Sequence, residues 1–274
     1  MKLYISFDME GISGIVDWDQ ISGVGSDYAL GVELTLNEVN AAIDGAVAGG
    51  ATEIVVNDSH WKMRNLNPTL LHGNATYVSG SHKPMYMMQG LDSSFDMVFF
   101  IGYHGSISGE PSVLSHTYNP SVFSLITLNG VEVGESGINA LVTDAFDVPI
   151  GLISGDEATG LQAQRVIPAK TVEVKRSVSR FASHNLHPKV AHEMIYEAAA
   201  EVMANSLNWP RVTLPRPITL EMNFVTADLA ELATWIKGVD RKETRTATIT
   251  SSDSLAIYET FVGVSYITRQ AGGR

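Results

Sequence analysis

Apolar runs alternate with segments of helical periodicity along the first 175 or so residues. The runs KLYISF, TEIVVND, DMVFFIGYH and PIGLISGD predict buried strands, and SVFSLITLNG predicts a further strand. The segments ELTLNEVNAAIDGAVAGG, GESGINALVTDAF and EATGLQAQRVI predict helices. Strands that alternate with helices form a mainly parallel sheet with crossover helices, so this pattern predicts an α/β fold.

The rest of the chain has a different pattern. A helical segment from Pro188 to Ala204 leads into NWPRVTLPRP, where the prolines break regular structure. Strand-like ITLEMNF and RTATITS then alternate with helix-like ADLAELATWI and SLAIYETFVGVSYI. This pattern predicts a smaller C-terminal α+β domain or layer at 181–274, after a metal-binding catalytic α/β domain at 1–180.

Composition narrows the possible functions. The 274 residues carry a formal net charge of -12, so the average field repels nucleic acid and anionic membrane surfaces. The absence of cysteine excludes disulfides, thiolate zinc sites and a cysteine nucleophile. Neither a signal peptide nor an apolar run of about 20 residues is present, which predicts a soluble, cytoplasmic protein.

Polar residues follow four of the predicted strands. They are Asp8 with Glu10, Asp58 with His60, His104, and Asp156 with Glu157. In a parallel sheet, ligands bind at the carboxyl ends of the strands. Residues 8 and 10 of an extended segment point to the same side, and two carboxylates this close repel unless a cation lies between them.

Each of these motifs taken alone is weak, because Asp, Ser and Gly after a strand are ordinary turn and cap residues. The combination is more specific, since three strand ends offer carboxylate or imidazole ligands in a chain without cysteine. Such ligands suit zinc, with manganese or cobalt as alternatives. The two oxygens of Asp8 would allow it to bridge two metal ions.

Five motifs in order, SFDMEGISG, VNDSHWKMRNL, IGYHG, SHT and NGVEVGESGINA, resemble the zinc-dependent D-aminopeptidase family. The resemblance implies two zinc ions, one held by Asp8, Glu10 and His104 and the other by Asp8, His60 and Glu135. Glu132 is the competitor of Glu135, and the glycines around Glu135 match the family pattern. The resemblance also implies that His116 is the catalytic histidine. It implies self-association into a homo-oligomer, a decamer of two stacked pentamers with active sites facing an interior chamber.

The expected function is a metallo-aminopeptidase that releases N-terminal residues, D or L, from short peptides or amino acid amides through metal-activated water. His116 could attack directly, but we favour oxyanion stabilisation and proton transfer to the leaving amine. The alternatives are another metal-dependent amidase or phosphoesterase, or a non-catalytic, metal-stabilised, ring-forming binding protein. The segment VDWDQISGVGSDYALG departs from the family and is expected to affect substrate choice.

Overall fold

The computed structural model describes residues 1–73 and 75–272, which form two β-sheets and six α-helices. The strands are β1 (Lys2–Phe7), β2 (Glu53–Asp58), β3 (Thr76–Val78), β4 (Met97–Tyr103), β5 (Phe123–Leu128), β6 (Val131–Glu132), β7 (Ile150–Asp156), β8 (Lys170–Ser179), β9 (Ala182–Asn185), β10 (Ile218–Phe224), β11 (Val239–Glu243) and β12 (Thr246–Ser251). The helices are α1 (Ser26–Ala48), α2 (Glu135–Phe146), α3 (Glu157–Ala163), α4 (Pro188–Ala204), α5 (Ala227–Ala233) and α6 (Ser254–Gly272). None of these helices has the length and apolarity that crossing a membrane requires.

The larger sheet has the strand order β3-β2-β1-β4-β7-β8-β9. All of its neighbouring pairs are parallel except β8 and β9, which form an antiparallel hairpin. This arrangement confirms the predicted α/β fold with a mainly parallel sheet. The parallel order places the carboxyl ends of β1, β2 and β4 side by side, which is where the predicted ligands lie.

The central strands of this sheet are buried on both faces. Leu3, Ile5 and Phe7 of β1 pack in a core with residues of α1 and α4, whereas Tyr4 belongs to a second core on the opposite face. Every second residue faces the same core because successive side chains of a strand point to opposite faces of the sheet. Because helices or a second sheet cover both faces, these strands read as continuous apolar runs.

The smaller sheet is antiparallel, with the order β11-β12-β10-β5-β6. Its core includes side chains of α2 and α6 and is continuous with Tyr4 and Phe100 of the larger sheet. Strands β5 and β6 precede residue 180, and the other three follow it. The division into 1–180 and 181–274 therefore stays a prediction, and the smaller sheet draws strands from both ranges.

Candidate metal centre

The six predicted site residues converge at the carboxyl end of the larger sheet. Asp8 and Glu10 follow β1, His60 follows β2, and His104 follows β4. His116 lies in the loop before β5, and Glu135 is the first residue of α2. Five of the six line a cavity of about 360 Å³, and His104 lies 3.6 Å from two of those five.

The loop that carries Asp8 and Glu10 is fixed by the backbone of β4. The Asp8 amide donates to the Ile101 carbonyl at 2.8 Å, and the Gly11 amide donates to the Gly102 carbonyl at 2.8 Å. A Cβ atom at Gly11 would overlap the Tyr103 carbonyl, so the approach requires glycine at this position. The two carboxylates are thus held close to His104, the residue that follows Tyr103.

A buried lysine closes the same loop from the other side. Lys175 of β8 donates to the carbonyls of Glu10, Ile12 and Ile15 at 2.5, 2.9 and 2.7 Å. Burial lowers the pKa of Lys175 to about 8, and the carboxylates of Asp156, Glu38 and Glu10 oppose that shift. Sequence reasoning missed this residue, because nothing in the pattern of β8 marks a lysine as inward-facing.

The loop after β2 is organised by Asp58. Its carboxylate accepts hydrogen bonds from Asn65 Nδ2 and the Leu66 amide, both at 2.9 Å, and from the Asn65 amide. Asn65 Nδ2 also donates to the His60 carbonyl at 2.8 Å. Asp58 therefore holds the backbone on either side of His60, and it makes no hydrogen bond to the imidazole among the described residues.

Each of the three imidazoles is oriented by a backbone carbonyl. His60 Nε2 donates to Ile21 O at 2.9 Å, His104 Nδ1 to Gly105 O at 3.0 Å, and His116 Nδ1 to Leu114 O at 2.9 Å. A carbonyl oxygen only accepts, so these nitrogens carry hydrogen. The other nitrogen of each ring faces the carboxylates, an arrangement typical of metal-binding histidines.

The second nitrogens of the three rings lie close to the three carboxylates, and that of His60 is hydrogen-bonded to Asp8. His60 Nδ1 is 2.9 Å from Asp8 Oδ1 and 3.2 Å from Glu10 Oε2. His104 Nε2 is 3.6 Å from Asp8 Oδ2 and from Glu135 Oε2. His116 Nε2 is 3.9 Å from Glu10 Oε1 and 3.7 Å from Glu135 Oε1. All six side chains thus face a common space.

These distances define three groups that could hold a metal ion: Asp8–Glu10–His60, Asp8–His104–Glu135 and Glu10–His104–His116. The first two share Asp8 and together use all five predicted ligands. This partition differs from the one that the resemblance implies, in which His60 and His104 exchange places. How the five ligands are divided between two ions stays a prediction.

The electrostatics of the cluster favour positive charge. Burial raises the pKa of Asp8, and repulsion by Glu10 and Glu135 raises it further. Burial alone would lower the pKa of His104, but Glu135 and its neighbours raise it to about 10. The pKa of His60 is raised in the same way by Glu10 and Asp8, against the effect of burial. Protons and divalent cations therefore compete for the same atoms.

Two buried atoms at the centre lack hydrogen-bond partners among the described residues, Glu10 Oε2 and His104 Nε2. An unsatisfied buried carboxylate oxygen and an unsatisfied imidazole nitrogen are costly unless a cation binds them. Carboxylate oxygens and imidazole nitrogens are also the donors that zinc accepts in a site without thiolates. The residues present therefore fit one or two zinc ions.

Three other acidic residues considered from the sequence lie outside the cluster. Asp156 caps α3 and accepts hydrogen bonds from Ser112 and Ser177, both at 2.6 Å. Glu157 pairs with Arg176. Glu132 accepts from Ser106 Oγ at 2.5 Å and does not line the cavity, whereas Glu135 does.

The cavity walls come mainly from loops. Trp18, Ile21 and Ser22, from the segment predicted to affect substrate choice, line one part. The Trp18 ring packs edge-on against His116, which stacks on His104 with ring centroids 4.4 Å apart. Further lining residues are Ser59, Trp61, Tyr86, Met87, Tyr118, Asn119, Pro120 and Arg269. Tyr118 also donates its backbone amide to Glu135 Oε1 at 2.8 Å.

Comparisons with known proteins find three similarities. A family model described as D-aminopeptidase, peptidase family M55, matches residues 1–262. A curated D-aminopeptidase of Bacillus subtilis (strain 168) is 36% identical over 263 residues, which cover 94% of each chain. A solved structure is described as the Zn-dependent D-aminopeptidase DppA from Bacillus subtilis, a self-compartmentalizing protease. It superposes with a TM-score of 0.93 at 34% identity and covers 98% of each chain.

Proposed function

The chain belongs to the D-aminopeptidase family of peptidases, and we propose that it is a zinc-dependent aminopeptidase that releases N-terminal D-amino acids from short peptides. The observation that carries the proposal is the convergence of three buried carboxylates and three carbonyl-oriented imidazoles, five of which line one cavity. The zinc dependence named for the solved relative supports the choice of metal.

We place two ions in this cluster, because two groups of ligands share Asp8 and leave none of the five unused. Asp8, Glu10 and His60 would hold one ion, and Asp8, His104 and Glu135 would hold the other. When bound, zinc supplies Lewis acidity that lowers the pKa of a water molecule and polarises the scissile carbonyl. Glu10 and Glu135 keep their carboxylates ionised, since imidazole partners lower the pKa of both against the effect of burial.

His116 is the residue best placed to move a proton. Its Nδ1 hydrogen is committed to Leu114 O, so Nε2 presents a lone pair to the cavity. Burial and the neighbouring His104 lower the pKa of His116, so the ring is neutral near pH 7 and can accept a proton. We assign His116 the acceptance, at Nε2, of the proton that the attacking water loses. The Nε2–H formed in this way would stabilise the developing oxyanion and then pass its proton to the leaving amine, so His116 would not attack directly.

The carboxylates also explain a preference for a free N-terminus. The oxygens of Glu10 and Glu135 can accept hydrogen bonds from the free amino group of a substrate, and an acylated peptide lacks that group. We therefore propose exopeptidase activity with the substrate's N-terminus at the bottom of the cavity. The loop with Trp18 and Ile21 would cover the first side chain and bias its stereochemistry.

We further propose that the chain assembles into a ring-shaped homo-oligomer, a decamer with its cavities facing an interior chamber. The support is the description of the solved relative as self-compartmentalizing, together with its match to 98% of this chain. Light scattering coupled to gel filtration measures the oligomer directly, and a monomer across the concentrations used for assays would contradict this part of the proposal.

The activity is tested with a panel of D- and L-amino acid p-nitroanilides, dipeptides and N-acetylated dipeptides, and with p-nitrophenyl phosphate. Protein loaded with zinc should cleave only amine-terminated substrates, and chelation should abolish turnover. In His116→Ala, we expect kcat to fall by about 10² to 10⁴-fold with the zinc content unchanged. His72→Ala, which removes an exposed histidine paired with Asp44, is the matched control and should retain full activity.

Chelator-resistant turnover, or hydrolysis of the phosphate ester alone, would overturn the proposal. A loss of bound zinc in His116→Ala would instead show that this residue is a ligand, as the Glu10–His104–His116 group would allow.

A further inference from the structure

One residue of the cavity wall has a charge opposite to that of the site. Arg269 of α6 lines the cavity that Asp8, Glu10 and Glu135 also line. No other arginine or lysine is among the described residues that form this lining, so Arg269 is its single permanently charged cation. Its guanidinium makes no hydrogen bond or ion pair with any residue in 1–73 or 75–272.

Aromatic side chains hold the neighbourhood of Arg269 in place. Tyr86 stacks on Tyr118 with ring centroids 5.3 Å apart and meets Tyr266 edge-on at 5.5 Å. Burial raises the pKa of Tyr86 to about 12, and the positive charge of Arg269 opposes that rise, as expected for a guanidinium close to the ring. Arg269 is therefore an exposed cation beside packed aromatic residues at the cavity wall.

We infer that Arg269 binds the C-terminal carboxylate of the substrate, so that a peptide with a free carboxylate is preferred over the same peptide with an amidated C-terminus. The inference rests on the proposed function, since it concerns the end of the peptide that leaves the cavity. A guanidinium at the cavity wall that has no partner among the described residues attracts a carboxylate that enters the cavity. The planar guanidinium matches a carboxylate with two parallel hydrogen bonds.

The size of the cavity agrees with this assignment. About 360 Å³ is near the lower end for sites that enclose a drug-sized molecule, a class that includes di- and tripeptides. With its amino group at the carboxylates and its carboxylate at Arg269, a short peptide would be bound at both termini. A longer peptide, or one with an amidated C-terminus, loses the second contact.

The test compares a free dipeptide with its C-terminal amide, both with the same N-terminal residue, on zinc-loaded protein. The unmodified enzyme should favour the free acid by about ten-fold in kcat/KM, the worth of one charge-assisted hydrogen-bonded pair. Arg269→Gln should raise KM for the acid by about ten-fold, with kcat and the constants for the amide changed by less than about two-fold. Arg269→Lys should restore part of the preference.

Binding gives a second readout that needs no turnover. Calorimetry with a dipeptide whose scissile amide is reduced to an amine should show the same preference for acid over amide, and the same loss in Arg269→Gln. Lys237→Gln is the charge-matched control, because Lys237 is exposed and does not line the cavity. This control should keep the preference for the free acid.

The outcomes separate this inference from the proposed function. Equal kcat/KM values for acid and amide in the unmodified enzyme, or equal losses on both in Arg269→Gln, would overturn the role of Arg269 and leave the aminopeptidase assignment intact. Failure of the unmodified, zinc-loaded protein to cleave any of these peptides would overturn the proposed function and this inference with it.

Discussion

At the scale of residues, Glu38 of α1 shows how burial ties stability to pH near the site. Its Oε1 accepts a hydrogen bond from the Ser13 amide at 2.8 Å, and its Oε2 has no partner among the described residues. Burial raises the pKa of Glu38 from 4.5 to about 7. The folded protein therefore binds a proton at Glu38 that the unfolded chain has already released.

Because the pKa is raised on folding, the contribution of Glu38 to stability is fully present below pH 4.5 and is lost as the pH rises through about 7. The free energy of unfolding is expected to fall by about 3 kcal/mol across this pH range. Urea unfolding at intervals from pH 4.5 to 8 measures it. Glu38→Gln, which is neutral throughout, should remove this part of the pH dependence, and identical pH profiles for the two proteins would contradict the assignment.

The same scale shows which site residues a sequence can reveal. Asp8, Glu10, His60 and His104 each follow an apolar run, so strand periodicity alone brings them to one edge of the sheet. His116 and Glu135 follow no such run, because one lies in an irregular loop and the other at a helix start. Only the family resemblance pointed to them, and the partition of ligands between two ions depends on ångström-scale distances that no pattern contains.

At the scale of elements, β8 stabilises the loop after β1 through Lys175. Lys175→Met keeps the length of the side chain and removes three hydrogen bonds to buried carbonyls. We expect the free energy of unfolding to fall by about 2 to 4 kcal/mol, because the carbonyls that lose a charged donor remain buried. We also expect weaker zinc binding, since Glu10 is on the released loop. Chemical denaturation and zinc titration measure the two effects.

Lys170→Met is the matched control for this element. Lys170 lies at the start of the same strand, but it is partly exposed and pairs with the exposed Glu201. An exposed ion pair contributes about 0 to 1 kcal/mol, so this variant should bind zinc normally. Equal effects of the two substitutions would show that Lys175 has no special role in positioning the loop.

Prediction of elements succeeded where strands are buried on both faces and failed at the β8–β9 hairpin. In KTVEVKRSVS, Val172 and Val174 are buried and Glu173 is exposed, which is the alternation of a half-exposed strand. The charged residues of this segment make the alternation of apolar and polar positions hard to recognise in the sequence. Strand β5 was predicted correctly as a strand, but its antiparallel partner β10 is far along the chain, and no local pattern specifies that pairing.

At the scale of the whole molecule, bound zinc is expected to stabilise the folded chain. Ions that bind only the folded chain stabilise it by about 4 kcal/mol when free zinc is about 1,000 times its dissociation constant. For a chain of this size we expect chelation to lower Tm by about 10 °C. Thermal unfolding with and without chelator, at fixed protein concentration, measures the shift.

His104→Ala is the control, because His104 belongs to two of the three possible ligand groups. Its Tm should respond less to zinc and to chelator than that of the unmodified protein, because only the Asp8–Glu10–His60 group stays complete. If the unmodified protein melted at the same temperature with and without chelator, the ions would not be coupled to folding, and the buried, unpartnered atoms of the cluster would need another explanation.

The hydrogen bond from Lys175 to Glu10 joins positions 165 residues apart, and this separation matters during translation. When α2 has emerged from the ribosome, the nascent chain already contains Asp8, Glu10, His60, His104, His116 and Glu135. Strands β7 and β8 are then still to be made, and parallel pairing between distant strands is slow to form. The loop that carries Asp8 and Glu10 therefore gains its hydrogen bonds to Lys175 only after β8 has been made.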